Sequence, residues 1–506
     1  MSTLPLRKPI GRWMLLGVIV LLGAWLLRAH YGFGDHRFHP DEALFATFAR
    51  HAAVNGDWLF SGPLDKTPLA LYAQALSMTL TGVVANPAGV LDLSLRAGEV
   101  SARIPALLAG LVFVAVMLRI GRDLGGRSTP GIWIGLLAAC SPVLIGFSGS
   151  AFTDMLMLAL GTAAALACLR RRWLLGGLLL GLAFLCKQQG VLFAPLCLIL
   201  PYALNRLTLR GCLRSAVGAG LGLVVLLAWE AVRAAPVNVL ALAAANNAPD
   251  FARISQPGAF FWPLRYLLGL LGGTTAVFIL LIPISFAIRL LTGLRDRALG
   301  LEALLLAWLM LYVVGHVLAG ANTYDRYVLP IMPVLILLSV RAGMWIHGVI
   351  AFRLMRQEAE LAAVAIAFAL IVSAVDASSG RFGYGGETTS FPDAAGIAPV
   401  ADYLNSQHVA AVVYDHWLNW QLGYYMGEWS DKRRVYYPDP DALVRDAVAL
   451  DECEDRYFTS PPNASARPWL DALEEAGFTT EAAFRSGGYT VYSLTPPRVG
   501  RCAASP

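Results

Sequence analysis

The sequence predicts an α-helical polytopic membrane protein with interfacial helices in its first outer loop and a small soluble α/β domain at its C-terminus. Three observations predict it. Of the 506 residues, 57% are hydrophobic and 14% charged, whereas an average soluble chain carries about 25% charged residues; mean hydropathy is +0.59. Apolar stretches of the roughly 20-residue length that a bilayer demands recur along the chain. After about Phe391 those stretches shorten, and Asp and Glu become frequent.

The formal net charge of +5 sits in clusters between apolar segments, the distribution of cytoplasmic loops rather than of a nucleic-acid footprint. No nucleic-acid partner is expected. The seven cysteines form no CxxC pair and no Cys/His ligand spacing, so neither a zinc ribbon nor a redox dithiol is indicated. Cys140, Cys168, Cys186, Cys197 and Cys212 lie within or beside apolar segments.

Arg7, Lys8 and Arg12 precede an apolar run from Trp13 to Leu27, the layout of a signal sequence or of a first membrane helix. No small-residue cleavage site precedes Arg28, which favours an uncleaved anchor. About eleven spanning segments are predicted, with cores at 11–28, 101–120, 131–150, 153–169, 173–187, 190–204, 215–233, 264–289, 301–320, 328–346 and 360–376. If each crosses once, Arg7/Lys8/Arg12, Arg119/Arg122/Arg127, Arg170/Arg171/Arg172, Arg206/Arg210/Arg214, Arg289/Arg295/Arg297 and Arg341/Arg353/Arg356 share one side, which predicts a cytoplasmic N-terminus. An odd number of crossings then puts outside the loop of residues 29–100, the loop Ala234–Pro263 and the tail after Asp376.

The expected organisation is a membrane catalytic module over 1–376 and an extracytoplasmic α/β domain over 377–506. Within the first loop, Ala43–Val54 and Leu69–Val83 have the apolar spacing of helices lying in the interface. In the tail, Val409–Tyr414 and Tyr489–Leu494 read as strands. Cys453 and Cys502 are the only cysteines there, and an outside location would permit a disulfide between them.

Ionisable residues at outer helix ends carry the chemical information. His39-Pro40-Asp41-Glu42 follows the first span; Pro40 forces an extended approach, and the two carboxylates open a helix whose dipole they complement. The dipeptide alone leaves two roles open, helix cap or active-site carboxylate. Asp154 is a carboxylate at membrane depth, costly there and hence a mark of function, with helix capping as the alternative. Glu230 and Arg233, at i,i+3 spacing, read as an ion pair, with donor binding as the other reading. The aromatic stretch "YDHWLNWQLGYYMG" in the tail reads as the core of a small domain, with stacking on an acceptor sugar as the alternative.

The stretch "HPDEALFATFARHAAVNGDWL", followed by "LDKTPLALYAQAL", resembles the first outer loop of the bacterial aminoarabinose and protein O-mannosyl transferases, members of the GT-C superfamily of lipid-linked-sugar glycosyltransferases. Asp41, Glu42, Gly56, Asp57, Trp58, Asp65, Lys66 and Pro68 fall in the family's order, with Thr67 where the family often has a first proline. The resemblance continues through "ARIPALLAGLVFVAVMLRIGRDLGG", through "SAFTDMLMLAL" with Asp154, through "WLLGGLLLGLAFLCKQQGVLFAPL" with Lys187, and through "YDRYVLPIMPVLILL" with Arg326 and Tyr327. It covers most of the membrane part in register.

The resemblance implies a GT-C-like fold and an inverting transfer of a sugar, hexose or pentose, from a polyprenyl phosphate of undecaprenyl or decaprenyl type. The acceptor would be a lipid, glycan or protein of the cell envelope, reached at the outer face of a bacterial cytoplasmic membrane. A sugar 1-phosphate has a good leaving group, so the chemistry asks for cations on the departing phosphate rather than for an acid. Lys66 and Arg326 are expected there, with Lys187 and Arg265 as further candidates; a snorkelling role is the other reading of Arg326.

The acceptor hydroxyl or amine must give up a proton, and Asp41 stands at the family's general-base position. Glu42 would orient it or the sugar, with Asp154 as a second catalytic carboxylate and His39, Trp58 and Tyr327 as substrate contacts. In some relatives a histidine of the Ala234–Pro263 loop joins the acidic residue before the lysine in holding a divalent metal. Here Ile254, Ser255 and Gln256 occupy that stretch, so only Asp65 remains of such a site and a divalent cofactor is left open. His36 and His39 could also supply ligands, with hydrogen bonding as the alternative. A transporter or flippase of lipid-linked sugars with an accessory domain is the competing class. It would place ionisable residues near the midplane of broken helices and repeat one half in the other, and neither feature is visible.

Overall fold

A computed structural model describes residues 11–126, 128–256, 258–266, 276–292, 297–353, 356–379, 396–427, 430–450, 454–462 and 464–497. The chain forms two compact units. One comprises residues 1–34, 57–77 and 100–390, the other residues 35–56, 78–99 and 391–506. The first loop, which the sequence assigns to the membrane module, thus contributes Asp35–Gly56 and Met78–Glu99 to the unit that holds the C-terminal sheet.

The first unit is built from apolar helices. They include α1 (Arg12–Gly32), most of α3 (Leu69–Thr81) and of α4 (Leu95–Gly125), then α5 (Ser128–Cys140), α6 (Pro142–Ser148), α7 (Asp154–Leu169), α8 (Trp173–Cys186), α9 (Ala194–Ala203), α10 (Leu209–Val232) and α11 (Val239–Asn246). The helices Ala276–Leu291, Arg297–Leu318, Met332–Arg353 and Arg356–Ser378 follow. Among the described residues, six helical segments are long and apolar enough to cross a membrane, and the bent pair α5–α6 would make a seventh. The remaining apolar helices among the described residues are shorter: Asp154–Leu169, Trp173–Cys186, Gln188–Ala203 and Ile279–Leu291. The protein is therefore a multi-pass membrane protein, with six or seven of the predicted spans meeting the length requirement in one continuous or bent element.

The break between α5 and α6 has a local cause. Pro142 cannot donate to the preceding turn and takes the first position of a new helix, and the chain bends by 61°. The carbonyls left over at the end of α5 are satisfied from α1. The wholly buried Arg28 donates to Ala138 O at 3.0 Å and Ala139 O at 2.9 Å, and its Nε donates to Ser148 Oγ at 3.2 Å. A buried guanidinium is tolerable only when its donors are used in this way.

The second unit contains α2 (Pro40–Arg50), the short antiparallel pair β1 (Val84–Ala85) and β2 (Leu91–Asp92), and a mixed sheet in the tail. That sheet comprises β3 (Val412–Asp415), β4 (Arg433–Tyr436), β5 (Arg456–Ser460), β6 (Thr479–Ser486) and β7 (Tyr489–Thr495) in the order β4-β3-β5-β7-β6. β3 runs parallel to β4 and β5, and β7 antiparallel to β5 and β6. Val412, Tyr414, Leu443, Phe458, Leu473 and Phe478 form its core beneath the tail's helices. The predicted α/β character of the tail and the two predicted strands are thus present.

Candidate active site

In the first unit three of the predicted cations, Lys66, Lys187 and Arg326, are joined through a connected set of contacts. The loop Asp65–Pro68 is fixed to the C-terminal end of α8: Thr67 Oγ1 donates to Phe184 O at 2.8 Å, and Gln188 Nε2 to Asp65 O at 3.0 Å. Lys66 Nζ lies 2.6 Å from Asp65 Oδ2. At that same end of α8 the helix stops because Lys187 turns extended, with φ −162° and ψ 138°. Its ammonium reaches Asp154 Oδ1 at 2.6 Å. Asp154 is the first residue of α7, where a carboxylate complements the helix dipole, and the same side chain carries the ion pair. The pair is almost wholly buried, at 1% exposure for Asp154 and 5% for Lys187.

The third contributor is the 3-10 segment Asp325–Ile331 that leads into the helix Met332–Arg353. The Lys187 ammonium stands 5.3 Å from the centre of the Tyr327 ring. The Arg326 guanidinium lies 5.7 Å from that ring, 5.1 Å from Tyr324 and 5.9 Å from Phe152, a setting in which aromatic faces stabilise a cation. Buried Asp325 accepts from the Arg326 backbone N–H at 2.8 Å. Both Lys66 and Arg326 are within electrostatic range of Lys187.

Two asparagines at the end of α11 close the circle. Asn246 Nδ2 donates to Asp65 Oδ2 at 3.2 Å, and Asn247 Oδ1 accepts from Tyr327 OH at 3.2 Å. Sequence reasoning assigned no role to Asn246, Asn247 or Gln188. The available signal was adjacency, since Gln188 follows Lys187 and the asparagine pair lies within the outer loop Ala234–Pro263. Three cations and a phenol from segments far apart in the chain are thus linked in one network.

Asp41, Glu42 and His39 belong to the second unit, and there the structure separates the roles of the two carboxylates. His39 caps α2: its Nδ1 accepts from the Asp41 N–H at 3.1 Å, and its own N–H donates to Glu42 Oε2 at 3.0 Å. Glu42 is buried and closes this capping box with His39. The Asp41 side chain takes no part in the box and is half-buried.

Trp58, in the first unit, is 40% exposed and lies parallel to the Tyr72 ring at 6.4 Å. Tyr72 OH donates to Trp58 O at 2.6 Å and accepts from Trp229 Nε1 at 2.9 Å. Glu230 and Arg233 form the ion pair their spacing predicts, at 3.5 Å, and Arg233 Nε donates to Phe60 O at 2.8 Å. The Arg265 side chain, Cys453 and Cys502 lie outside the described residues.

Among the described residues no group of three or more His, Cys, Asp or Glu comes together as a metal site. Around Asp65 the partners are an ammonium on Oδ2 and an amide from Asn246. Both partners are on Oδ2; Oδ1 is buried and accepts no hydrogen bond among the described residues.

Residues 66–203 match the sequence model of the family described as "Alpha-(1->6)-mannopyranosyltransferase, N-terminal domain", a stretch that contains Lys66, Asp154 and Lys187. Over nearly its whole length the chain is similar to ArnT from Cupriavidus metallidurans. The apo crystal structure superposes with a TM-score of 0.57 at 17% identity, covering 95% of this chain and 97% of that one. The crystal structure of ArnT bound to undecaprenyl phosphate superposes with a TM-score of 0.57 at 16% identity, covering 95% and 98%. Comparison with curated proteins gave no match. The chain has the fold of ArnT, GT-C-like as the loop motifs predict, and its matched segment is likewise similar to a glycosyltransferase family.

Proposed function

We propose that the protein is an inverting glycosyltransferase that moves a sugar from a polyprenyl-phosphate carrier to a lipid, glycan or protein acceptor at the outer face of the cytoplasmic membrane. The observation that carries this reading is the placement of Lys187 and Arg326 about Tyr327, with Lys66 within electrostatic range of Lys187. It is supported by a fold shared with a protein crystallised with undecaprenyl phosphate.

In the proposed reaction the acceptor oxygen or nitrogen attacks the anomeric carbon from the face opposite the phosphate. The bond from that carbon to the phosphate oxygen breaks, and its electron pair leaves with the polyprenyl phosphate. Lys66 and Arg326 neutralise the departing oxygens, and Lys187, itself balanced by Asp154, adds field from the buried side. The acceptor proton passes to the Asp41 carboxylate. Glu42 and His39 hold the turn that carries Asp41. A single displacement of this kind inverts the configuration.

The family match makes mannose the first sugar to test. Full-length protein in liposomes, given radiolabelled mannosyl undecaprenyl phosphate and envelope extract, is expected to move label into a product no longer cleaved by mild acid. Asp41→Asn should lower kcat by about 10²- to 10⁴-fold. Lys66→Ala and Arg326→Ala should lower kcat/KM. Full activity in Asp41→Asn would remove the assigned base, and movement of intact donor across the vesicle without bond cleavage would favour a transporter instead.

A further inference from the structure

Resting on the reading of Asp41 as the base, we propose that the helix Asn419–Met426 of the C-terminal segment positions that carboxylate, with Tyr425 and Gln421 as the positioning residues and Glu99 as their support. All of these residues lie in the second unit.

The residues ahead of Asp41 have a backbone problem that their sequence cannot solve locally. His39 is extended, with φ −59° and ψ 151°, because the residue before a proline is driven out of the helical region. Phe38, one position earlier, is therefore outside the helix, and no strand among the described residues pairs with its main chain. Side chains of the tail take that role. The Phe38 N–H donates to Tyr425 OH at 2.7 Å, and Phe38 O accepts from Gln421 Nε2 at 2.8 Å.

Both polar groups of one peptide residue are thus held by a single helix 387 positions away at Tyr425. The Phe38 ring, wholly buried, packs edge-on against Tyr424 at 4.9 Å. Farther along α2, Phe48 lies 5.2 Å from Trp420, and the Arg50 guanidinium lies 5.4 Å from the Tyr424 ring. Tyr425 is itself anchored. Its hydroxyl donates to Glu99 Oε1 at 2.5 Å, and the buried Glu99 accepts from Arg37 at 2.8 Å and from Arg96 at 3.3 Å through Oε2.

The hydroxyl of Tyr425 therefore links the peptide before the capping box to a buried carboxylate bound by two arginines. A catalytic carboxylate displaced by a fraction of an ångström loses much of its rate advantage. The capping box holds the start of α2 but not the extended residues ahead of it, and there the tail's helix supplies the hold. The C-terminal domain is on this account part of the catalytic apparatus rather than an appendage.

The test uses full-length protein in detergent micelles with mannosyl undecaprenyl phosphate as donor, comparing wild type, Asp41→Asn, Tyr425→Phe, Gln421→Met and the double variant Asp41→Asn/Tyr425→Phe. Tyr425→Phe is expected to lower kcat by about 10- to 100-fold, with KM for the donor and the stoichiometry of undecaprenyl phosphate binding unchanged. Gln421→Met should show a smaller loss of the same kind. The double variant should be no slower than Asp41→Asn, because a residue that acts through Asp41 has nothing left to act on.

Wild-type kcat in both Tyr425→Phe and Gln421→Met would overturn the proposal, as would a loss of kcat that merely follows a loss of binding sites. If Tyr425→Phe does not fold, Gln421→Met decides. An active Asp41→Asn would instead overturn the base assignment, a result distinct from inactive Asp41→Asn beside fully active Tyr425→Phe.

Discussion

Lys187 and Asp154 meet at 2.6 Å with almost no exposure, and each is tolerable only because of the other. Removing one partner of a buried ion pair leaves a lone charge and costs about 3–5 kcal/mol, whereas removing both costs much less. Lys187→Met and Asp154→Asn are each expected to lower the thermal unfolding temperature more than the double variant does. Equal or additive losses would show that the two do not act as a pair. His416 makes a different case, in the C-terminal domain. Its ring lies 4.2 Å from Trp469 and 5.4 Å from Phe458, and burial holds its pKa below the ordinary 6.5. As pH falls through that ordinary value the unfolded chain takes up a proton that the folded domain resists, so stability drops toward the lower folded value. His416→Phe should flatten this slope in melting curves recorded from about pH 7 to about pH 5. The residue scale also shows why a dipeptide misleads: Asp41 and Glu42 are alike in sequence, yet only Glu42 closes the capping box.

At the scale of elements, α8 and α10 approach closely because each has two glycines one turn apart, Gly177 with Gly181 and Gly218 with Gly222. A Cβ on Gly177 would stand 2.0 Å from Ser215 O, and one on Gly222 would stand 2.6 Å from Gly181 Cα. In a bilayer, where burial of apolar surface gives no advantage between helices, such backbone approach is what holds them. Gly222→Leu is expected to force α8 and α10 apart and to reduce the yield and melting temperature of the detergent-solubilised protein. Gly220→Leu, whose added Cβ meets nothing within 4 Å, should leave both near wild type. Because α8 ends at Lys187, its seating also sets where that ammonium can reach. The glycine spacing is legible in the sequence; the identity of the partner helix is not.

At the scale of the whole molecule, the expected topology puts the basic turn between α7 and α8 on the cytoplasmic side and the tail outside. A membrane-impermeant thiol reagent should label Val409→Cys, a position 76% exposed, in intact spheroplasts. It should label Arg171→Cys only after permeabilisation. The reverse pattern would invert the assigned orientation and move the proposed reaction to the other face. The division into units belongs to this scale too, since segments separated by some three hundred residues form the unit that contains Asp41.

Composition and segment length, which are local sums along the chain, determined that this is a multi-pass helical membrane protein with a small α/β tail. Short motifs picked out Lys66, Asp154, Lys187 and Arg326, because a charge beside an apolar segment is conspicuous wherever it is finally placed. Only the tertiary structure decided that Lys187 pairs with Asp154, that Asn246 and Asn247 link Asp65 to Tyr327, and that Tyr425 and Gln421 hold the peptide ahead of Asp41. The reason is the same in each case. Hydrophobicity is a property of the residue, whereas the partner of a buried polar group is whichever group the fold brings within hydrogen-bonding distance, at any separation in sequence.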